Sequence, residues 1–227
     1  MPIVYLVRHA QASFGTEDYD VLSETGQRQA ALLEEDLLAR GIRPTRVVSG
    51  SLRRQLDTAR ACGRAAPLEP AVDPRWNEYE SADVIAHHGV GVASTAAGDA
   101  IGAAPGMSSR EFQRLLDAAL LEWIAAGDES ACEESWTAFQ RRCVTALRGL
   151  AAELSSGEDA LVFTSGGAIA AVAANLLRAP AETFVALNRM AVNAGVSKVM
   201  VGRSGTHLLS YNEHAHLGRE PGVLTFR

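Results

Sequence analysis

Ile3-Val4-Tyr5-Leu6-Val7-Arg8-His9-Ala10-Gln11-Ala12-Ser13 is the stretch from which the rest of the chain can be read. Ile3 to Val7 is apolar and mostly β-branched or aromatic. It is too short to span a membrane and has the pattern of a strand buried on both faces. Arginine and histidine then stand together where that strand should end. In open α/β sheets the carboxyl ends of the strands are where ligands bind. A guanidinium beside an imidazole suits an anion, and a neutral imidazole there can attack phosphorus. Taken alone, the pair also fits a surface strand end with two incidental polar residues. The residues downstream decide between the two.

The chain has 227 residues, 47% of them hydrophobic, and a formal charge of -6. That is enough for one large core, so a single α/β domain with an insertion is expected rather than two full domains. The acidic balance argues against a nucleic-acid or anionic-membrane surface, which would want a basic stripe. An anionic substrate must then be held by a local cluster of arginines. Cys62, Cys132 and Cys143 are odd in number and show no paired CxxC spacing, the pattern of reduced thiols. The first apolar run has no basic lead and is too short for a signal peptide. A cytoplasmic protein is expected.

Phe14 to Val21 is a polar loop over the strand end. A helix comes next, with Ser23 as its N-cap and Ala30, Leu33, Leu37 and Leu38 at helical spacing. Arg40-Gly41 ends it. Thr45 to Ser49 is a second short strand, and a second helix runs from about Leu52 through Cys62. This β-α-β-α order predicts a mainly parallel sheet covered by helices. Arg53 and Arg54 fall in the first turn of the second helix. Exposed backbone N–H groups there favour an anion, whereas the helix dipole disfavours cations, so two arginines ask for a reason. The helix should begin at the same sheet edge as Arg8 and His9.

Leu6-Val7-Arg8-His9-Ala10-Gln11, Leu22-Ser23-Glu24-Thr25-Gly26 with Gln29-Ala30, and Ser51-Leu52-x-Arg54 with Thr58-Ala59 occur in this order. With Trp76-Asn77-Glu78, Glu134-Ser135-Trp136 ahead of Arg142, Gly166-Gly167, Asn193 and Tyr211-Asn212-Glu213-x-x-His216-Leu217, the chain resembles the histidine phosphatase superfamily in its phosphoglycerate-mutase-like branch. The resemblance spans nearly the whole chain and implies a three-layer α/β/α fold. It makes His9 the nucleophile that becomes phosphohistidine, and Arg8 and Arg54 the clamp on the phosphoryl oxygens. Neighbouring helical residues point about 100° apart, so only one of Arg53 and Arg54 should face the site, and the motif register favours Arg54. Glu78 matches the proton donor; Glu80 or Asp83 takes that role if the loop register slips. Gln11, Ser13, Ser165 and Gly166 complete the expected phosphate-binding set.

One departure matters most. The family usually has a second histidine, in a His-Gly-Gly pattern, after a later strand. Here Ala160-Leu161-Val162-Phe163-Thr164 is followed by Ser165-Gly166-Gly167. Serine can donate one hydrogen bond but brings no charge. Losing a charge-assisted bond is worth roughly 1.5–3 kcal/mol, on the order of ten- to more than a hundredfold in rate if it acts in the transition state. Ser165→His is therefore expected to raise turnover about tenfold, unless the crowded strand end rejects the larger side chain. Ala10 stands where the family often has glycine, a change that asks only for a permitted backbone angle. A serine-hydrolase elbow at Ser165 fails its G-x-S-x-G pattern, because Phe163 stands two residues earlier. His87-His88 and His214-x-His216 hint at a metal, but adjacent histidines diverge and further ligands are not visible in the sequence, so no metal is expected.

About 80–130 reads as an insertion capping the site, with an amphipathic helix from Ser109 to Ile124. A long helix runs from Ser135 to about Leu154, others follow Gly167 and Pro180, and Ala191–Val201 with Thr206–Tyr211 form a last antiparallel pair. The expected function is transfer of a phosphoryl group from a phosphomonoester to His9 and then to water, without metal or nucleotide cofactor. Phosphatase is favoured over mutase because the loop after Ser13 lacks the family mutases' Trp-Asn pattern and an obvious basic set for a second phosphate. The partner is a small phosphorylated substrate or a phosphoprotein. A weakly active or non-catalytic phospholigand-binding protein of the same fold is the alternative.

Overall fold

The structure, a computed structural model, describes residues 1–13, 20–89 and 108–226. Among these residues, six strands form one sheet in the order β3-β2-β4-β1-β5-β6. They are β1 (Ile3–Arg8), β2 (Pro44–Ser49), β3 (Ala71–Val72), β4 (Asp159–Thr164), β5 (Val196–Gly202) and β6 (Gly205–Glu213). The first four in sheet order are mutually parallel, and β5 and β6 are added antiparallel. The α-helices are α1 (Glu24–Ala39), α2 (Arg53–Ala61), α3 (Ser81–His88), α4 (Ser109–Ala126), α5 (Trp136–Glu153), α6 (Gly166–Leu176) and α7 (Thr183–Met190).

The apolar strands are buried on both faces, as their unbroken hydrophobicity requires. Val4 and Leu6 of β1 and Ala160 and Val162 of β4 face a core built with Trp76, Trp123, Trp136, Phe139 and Phe184. Tyr5, Val7, Leu161 and Phe163, the alternate positions, face a second core under α1 and α2, with Ala30, Leu33 and Leu37. A period of two thus divides each strand between two helical layers. This is the expected three-layer α/β architecture.

Ser23 caps α1, its Oγ accepting from Gly26 N–H at 3.0 Å, and Ser135 caps α5, accepting from Ala138 N–H at 3.2 Å. The last strand pair is antiparallel, with Gly202 opposite Gly205 and only Arg203-Ser204 between them. The first of these strands starts later than the hydrophobic run suggests. Ala191 to Gly195 instead forms a turn in which Ala194 takes φ 58°, a left-handed conformation no strand accommodates. Within the stretch expected to cap the site, 90–107 lies outside the described residues, as does 14–19 of the first loop. The flanks α3 and α4 bury Val84, Ile85, Leu120 and Trp123 in the same core as Trp136. Among the described residues no helix is long and apolar enough to cross a membrane.

Candidate active site

Because β1, β2 and β4 are parallel neighbours, their carboxyl ends meet at one edge. Arg8 is in register with Thr164, and Ser49 with Phe163. His9 N–H donates to Thr164 O at 2.8 Å and Gly50 N–H to Phe163 O at 3.0 Å, so the residues that come after the three strands lie side by side.

His9 is only 7% exposed. Its Nδ1 lies 2.8 Å from Ala10 O. A carbonyl can only accept, so Nδ1 carries the proton and Nε2 carries the lone pair. That lone pair meets the Nε–H of Arg54 at 3.1 Å. Burial, the charge of Arg54 and then that of Arg8 hold the imidazole well below the ordinary histidine value, against the Ala10 carbonyl that favours its proton. The ring is therefore neutral at pH 7, with its unprotonated nitrogen beside a guanidinium.

The structure separates the two arginines of α2 as helical geometry requires. The Arg54 side chain is 13% exposed and turned to His9, whereas that of Arg53 is 56% exposed and turned to Asp57. Asp20 resolves the awkward placement of cations at a helix N-terminus. One of its oxygens accepts from Arg53 N–H at 2.6 Å, and the other pairs with the Arg54 guanidinium. Arg8 donates to Ala191 O and to Phe226 O, the latter at 2.9 Å, so its guanidinium is held by the turn before β5 and by the chain's last described residue. Thr58 joins α2 to the end of β1, accepting from Ala10 N–H at 3.0 Å and donating to Arg54 O at 2.6 Å.

Glu78 lies just after a short 3-10 turn over Pro74–Trp76. Its Oε2 accepts from Gly167 N–H at 3.0 Å and its Oε1 from Tyr79 N–H at 3.2 Å. Burial raises its carboxyl above the usual carboxylate value, opposed by the Gly167 N–H and by the charges of Arg54 and Arg8. Both arginines thus act on His9 and on Glu78, which brings these four residues to one site. Gly167 is required for this approach: a Cβ there would lie 2.1 Å from Glu78 Oε1. Of the alternative donors, Glu80 is exposed just before α3, and Asp83 is bonded to His87 and to Glu133 N–H.

The loop that carries Glu78 is held by groups whose role the sequence does not reveal. Arg142 donates to Arg75 O at 2.9 Å, Asn77 O at 2.7 Å and Glu78 O at 3.3 Å. A two-point pair with Glu134, at 2.6 and 2.9 Å, fixes the guanidinium, which also lies over the Phe139 ring. Gln55 donates to Trp76 O at 3.2 Å and Thr164 Oγ1 does so at 2.6 Å, tying the same loop to α2 and β4. Asp20, Arg142 and Gln55 are polar residues in polar stretches, and only tertiary contacts reveal what they hold.

The remaining expected residues take different places. Gln11 is committed to α1: its N–H donates to Gln29 Oε1 at 2.8 Å and its Oε1 accepts from Ser23 Oγ at 2.8 Å. Ser13 N–H donates to Val21 O at 2.8 Å, next to the undescribed 14–19. Gly166 lies against Arg8, whose Nε would be 3.3 Å from a Cβ at that position. Ser165 is fully buried and its Oγ accepts from Gln55 Nε2 at 2.8 Å. Its hydroxyl is bonded to an amide rather than to the histidine base a hydrolase elbow requires. His216 bonds Ala194 O and His214 bonds Asn212 O, each a contact within the backbone turns around β5 and β6.

This placement reverses the outcome expected for Ser165→His. An imidazole at a wholly buried position filled by Gln55 overpacks it, at about 1–3 kcal/mol. For a domain of this size that lowers Tm by roughly 2–12 °C. Thermal denaturation beside turnover on an aryl phosphate checks this; an unchanged Tm with faster turnover would restore the sequence-based expectation.

His9, Arg8, Arg54 and Glu78 thus gather at the carboxyl edge of a mainly parallel sheet, and comparison with known proteins identifies the family. Residues 4–89 and 99–214 match the family model of the histidine phosphatase superfamily (branch 1), and the chain belongs to that superfamily. Among solved structures it is similar to a mycobacterial glucosyl-3-phosphoglycerate phosphatase in complex with VO3, at 26% identity over 93% of this chain and 99% of that one, TM-score 0.66. The fold is shared with YhfR of Bacillus stearothermophilus (18% identity, 95% and 99% covered, TM-score 0.68). It is shared also with a phosphoserine phosphatase of Entamoeba histolytica (16% identity, 96% and 100% covered, TM-score 0.65). A search of curated proteins finds no match.

Proposed function

We propose that the protein is a phosphomonoester hydrolase working through a phosphohistidine on His9. The observation that carries this reading is the tautomer of His9: Nδ1–H is fixed on Ala10 O and the Nε2 lone pair is aimed at the Arg54 guanidinium. A phosphoryl group drawn in by Arg8 and Arg54 meets that lone pair. The N–P bond forms as the P–O bond to the leaving group breaks, and the arginines offset charge on the equatorial oxygens. Glu78, its carboxyl raised above the usual carboxylate value by burial, gives a proton to the leaving oxygen from its protonated form. As carboxylate it then takes a proton from water, whose oxygen attacks phosphorus and frees His9 neutral.

Phosphatase activity in the similar proteins supports the reaction class. Their names make glucosyl-3-phosphoglycerate and phosphoserine the first members of a substrate panel, with phosphopeptides beside them. The three free thiols, all buried, support a cytoplasmic setting. A second reading, weak catalysis or simple phospholigand binding, draws on the burial of Ser165 where the family usually places a charged donor. The two separate on one measurement. Incubation with a labelled phosphodonor is expected to give an acid-labile, base-stable phosphoenzyme, with the label on the peptide containing His9. Binding without label supports the second reading, and label on another residue overturns the first.

A further inference from the structure

Asp83 and His87 stand one turn apart on the same face of α3, and the segment after α4 brings Cys132 and Glu133 against them. His87 Nδ1 is 2.9 Å from Asp83 Oδ1, and Cys132 Sγ is 3.7 Å from Asp83 O. One carboxylate oxygen, one imidazole nitrogen and the sulfur all lie within 4.8 Å of one another. We propose that Asp83, His87 and Cys132 form a binding site for a thiophilic divalent cation of the zinc class, separate from the phosphoryl site.

Thiolate, imidazole and carboxylate together match the ligand preference of zinc, and three protein ligands leave the fourth tetrahedral position to solvent. Ligand atoms around tetrahedral zinc sit roughly 3.5 Å apart given bonds of about 2.0–2.3 Å. The spread here must close by about 1 Å, which rotation of the 41% exposed His87 side chain can supply. Asp83 is already oriented: Glu133 N–H holds Oδ2 at 2.8 Å and leaves Oδ1 towards His87. The cavity beside it, about 520 Å³, reaches Glu78, and its charged lining is Glu78, Glu80, Asp83, Glu133 and Glu134 with Arg142, a wall whose field favours a cation. His88 turns to Ser130 Oγ at 2.8 Å, so the partner of His87 is not its sequence neighbour. The adjacent histidines diverge, as expected, yet the members of this cluster converge through the fold.

The ion would join α3 to the segment leading into Glu134, and Glu134 holds the arginine that clamps the Glu78 loop. Its role would be to stiffen that wall rather than to enter the chemistry. On binding, Cys132 loses its thiol proton to solvent as the metal–sulfur bond forms.

Cobalt(II) added to the reduced, chelator-treated full-length protein is the probe. The expected result is a thiolate-to-cobalt charge-transfer band in the near ultraviolet, with visible bands of tetrahedral intensity, displaced by one equivalent of zinc. His87→Ala, at an exposed position, should keep the parent's circular dichroism. It should weaken binding by more than the roughly 10–100-fold typical of outer-sphere changes. Cys132→Ser should abolish the charge-transfer band. A protein that shows no band at millimolar cobalt, or equal bands in the parent and both variants, overturns the proposal. In that case the cluster is a packing staple in which the thiol donates to Asp83 O.

Discussion

His9→Ala is expected to lower kcat/KM for a phosphomonoester by on the order of 10³-fold or more while leaving phosphate binding largely in place. The asymmetry comes from the division of labour at the strand end. Arg8 and Arg54 are positioned by Ala191 O, Phe226 O and Asp20, none of which depends on the imidazole. The imidazole supplies the only bond to phosphorus in the proposed first step. Its removal also strips one acceptor from Arg54 Nε, so a small change in affinity is expected beside the large change in rate. Steady-state kinetics with a competing vanadate titration separate the two effects. Residual activity above about one part in a hundred, with the fold intact, would point to another nucleophile.

Glu78→Gln is the second large effect, and its signature is selectivity. A general acid is worth about 10²–10⁴-fold, and only where the leaving oxygen needs a proton. The variant should lose that much on alkyl phosphates and far less on an aryl phosphate with an acidic phenol. An equal loss on both would assign Glu78 to positioning instead. The pH dependence comes from opposite shifts. His9, lowered, must be neutral, so activity falls as pH drops through its value below the ordinary histidine range. Glu78, raised, must be protonated, so activity falls as pH climbs through its value above the ordinary carboxylate range. Glu78→Gln should remove the alkaline limb and leave the acid limb.

The same shift bears on stability. A carboxyl whose folded-state value lies above its unfolded value contributes fully below the unfolded value, and loses that contribution as pH rises through the folded one. At pH 7 the burial of ionised Glu78 therefore costs the fold, and Glu78→Gln should melt higher than the parent there and no higher near pH 4. Differential scanning calorimetry at the two pH values checks this. The arrangement fits a site kept reactive at some expense to the fold.

Much of this site is legible in the chain because it depends on local rules. Val4, Leu6, Ala160 and Val162 alternate with Tyr5, Val7, Leu161 and Phe163, and strands apolar at every position can only be central and covered twice. Residues immediately after such strands must emerge at the carboxyl edge, which places His9, Gly50 and Ser165 together without further information. The choice of Arg54 over Arg53 needs only the motif register and the angular step of a helix. The start of β5 is where the pattern misleads, because Ala191 to Gly195 is apolar enough to look like strand. A left-handed residue holds it as a turn, with Val192 N–H donating to Asn212 Oδ1 and Asn193 Nδ2 donating to His9 O.

The layers come from hydrophobic period, and the candidate nucleophile and donor from the motif order that carries the family resemblance, which are properties of the residue sequence. What each polar group faces is a property of the folded chain. Folding commits Gln11 to Ser23 and Gln29 and closes Ser165 behind Gln55. It sets Asp20 on Arg54, Arg142 under the Glu78 loop, and Cys132 against Asp83. A side chain's partners lie mostly far away in the chain, and burial turns a small difference in distance into a large difference in electrostatic energy. That is why the protonation states of His9 and Glu78, on which the proposed chemistry rests, are set by the folded arrangement and not by the order of residues.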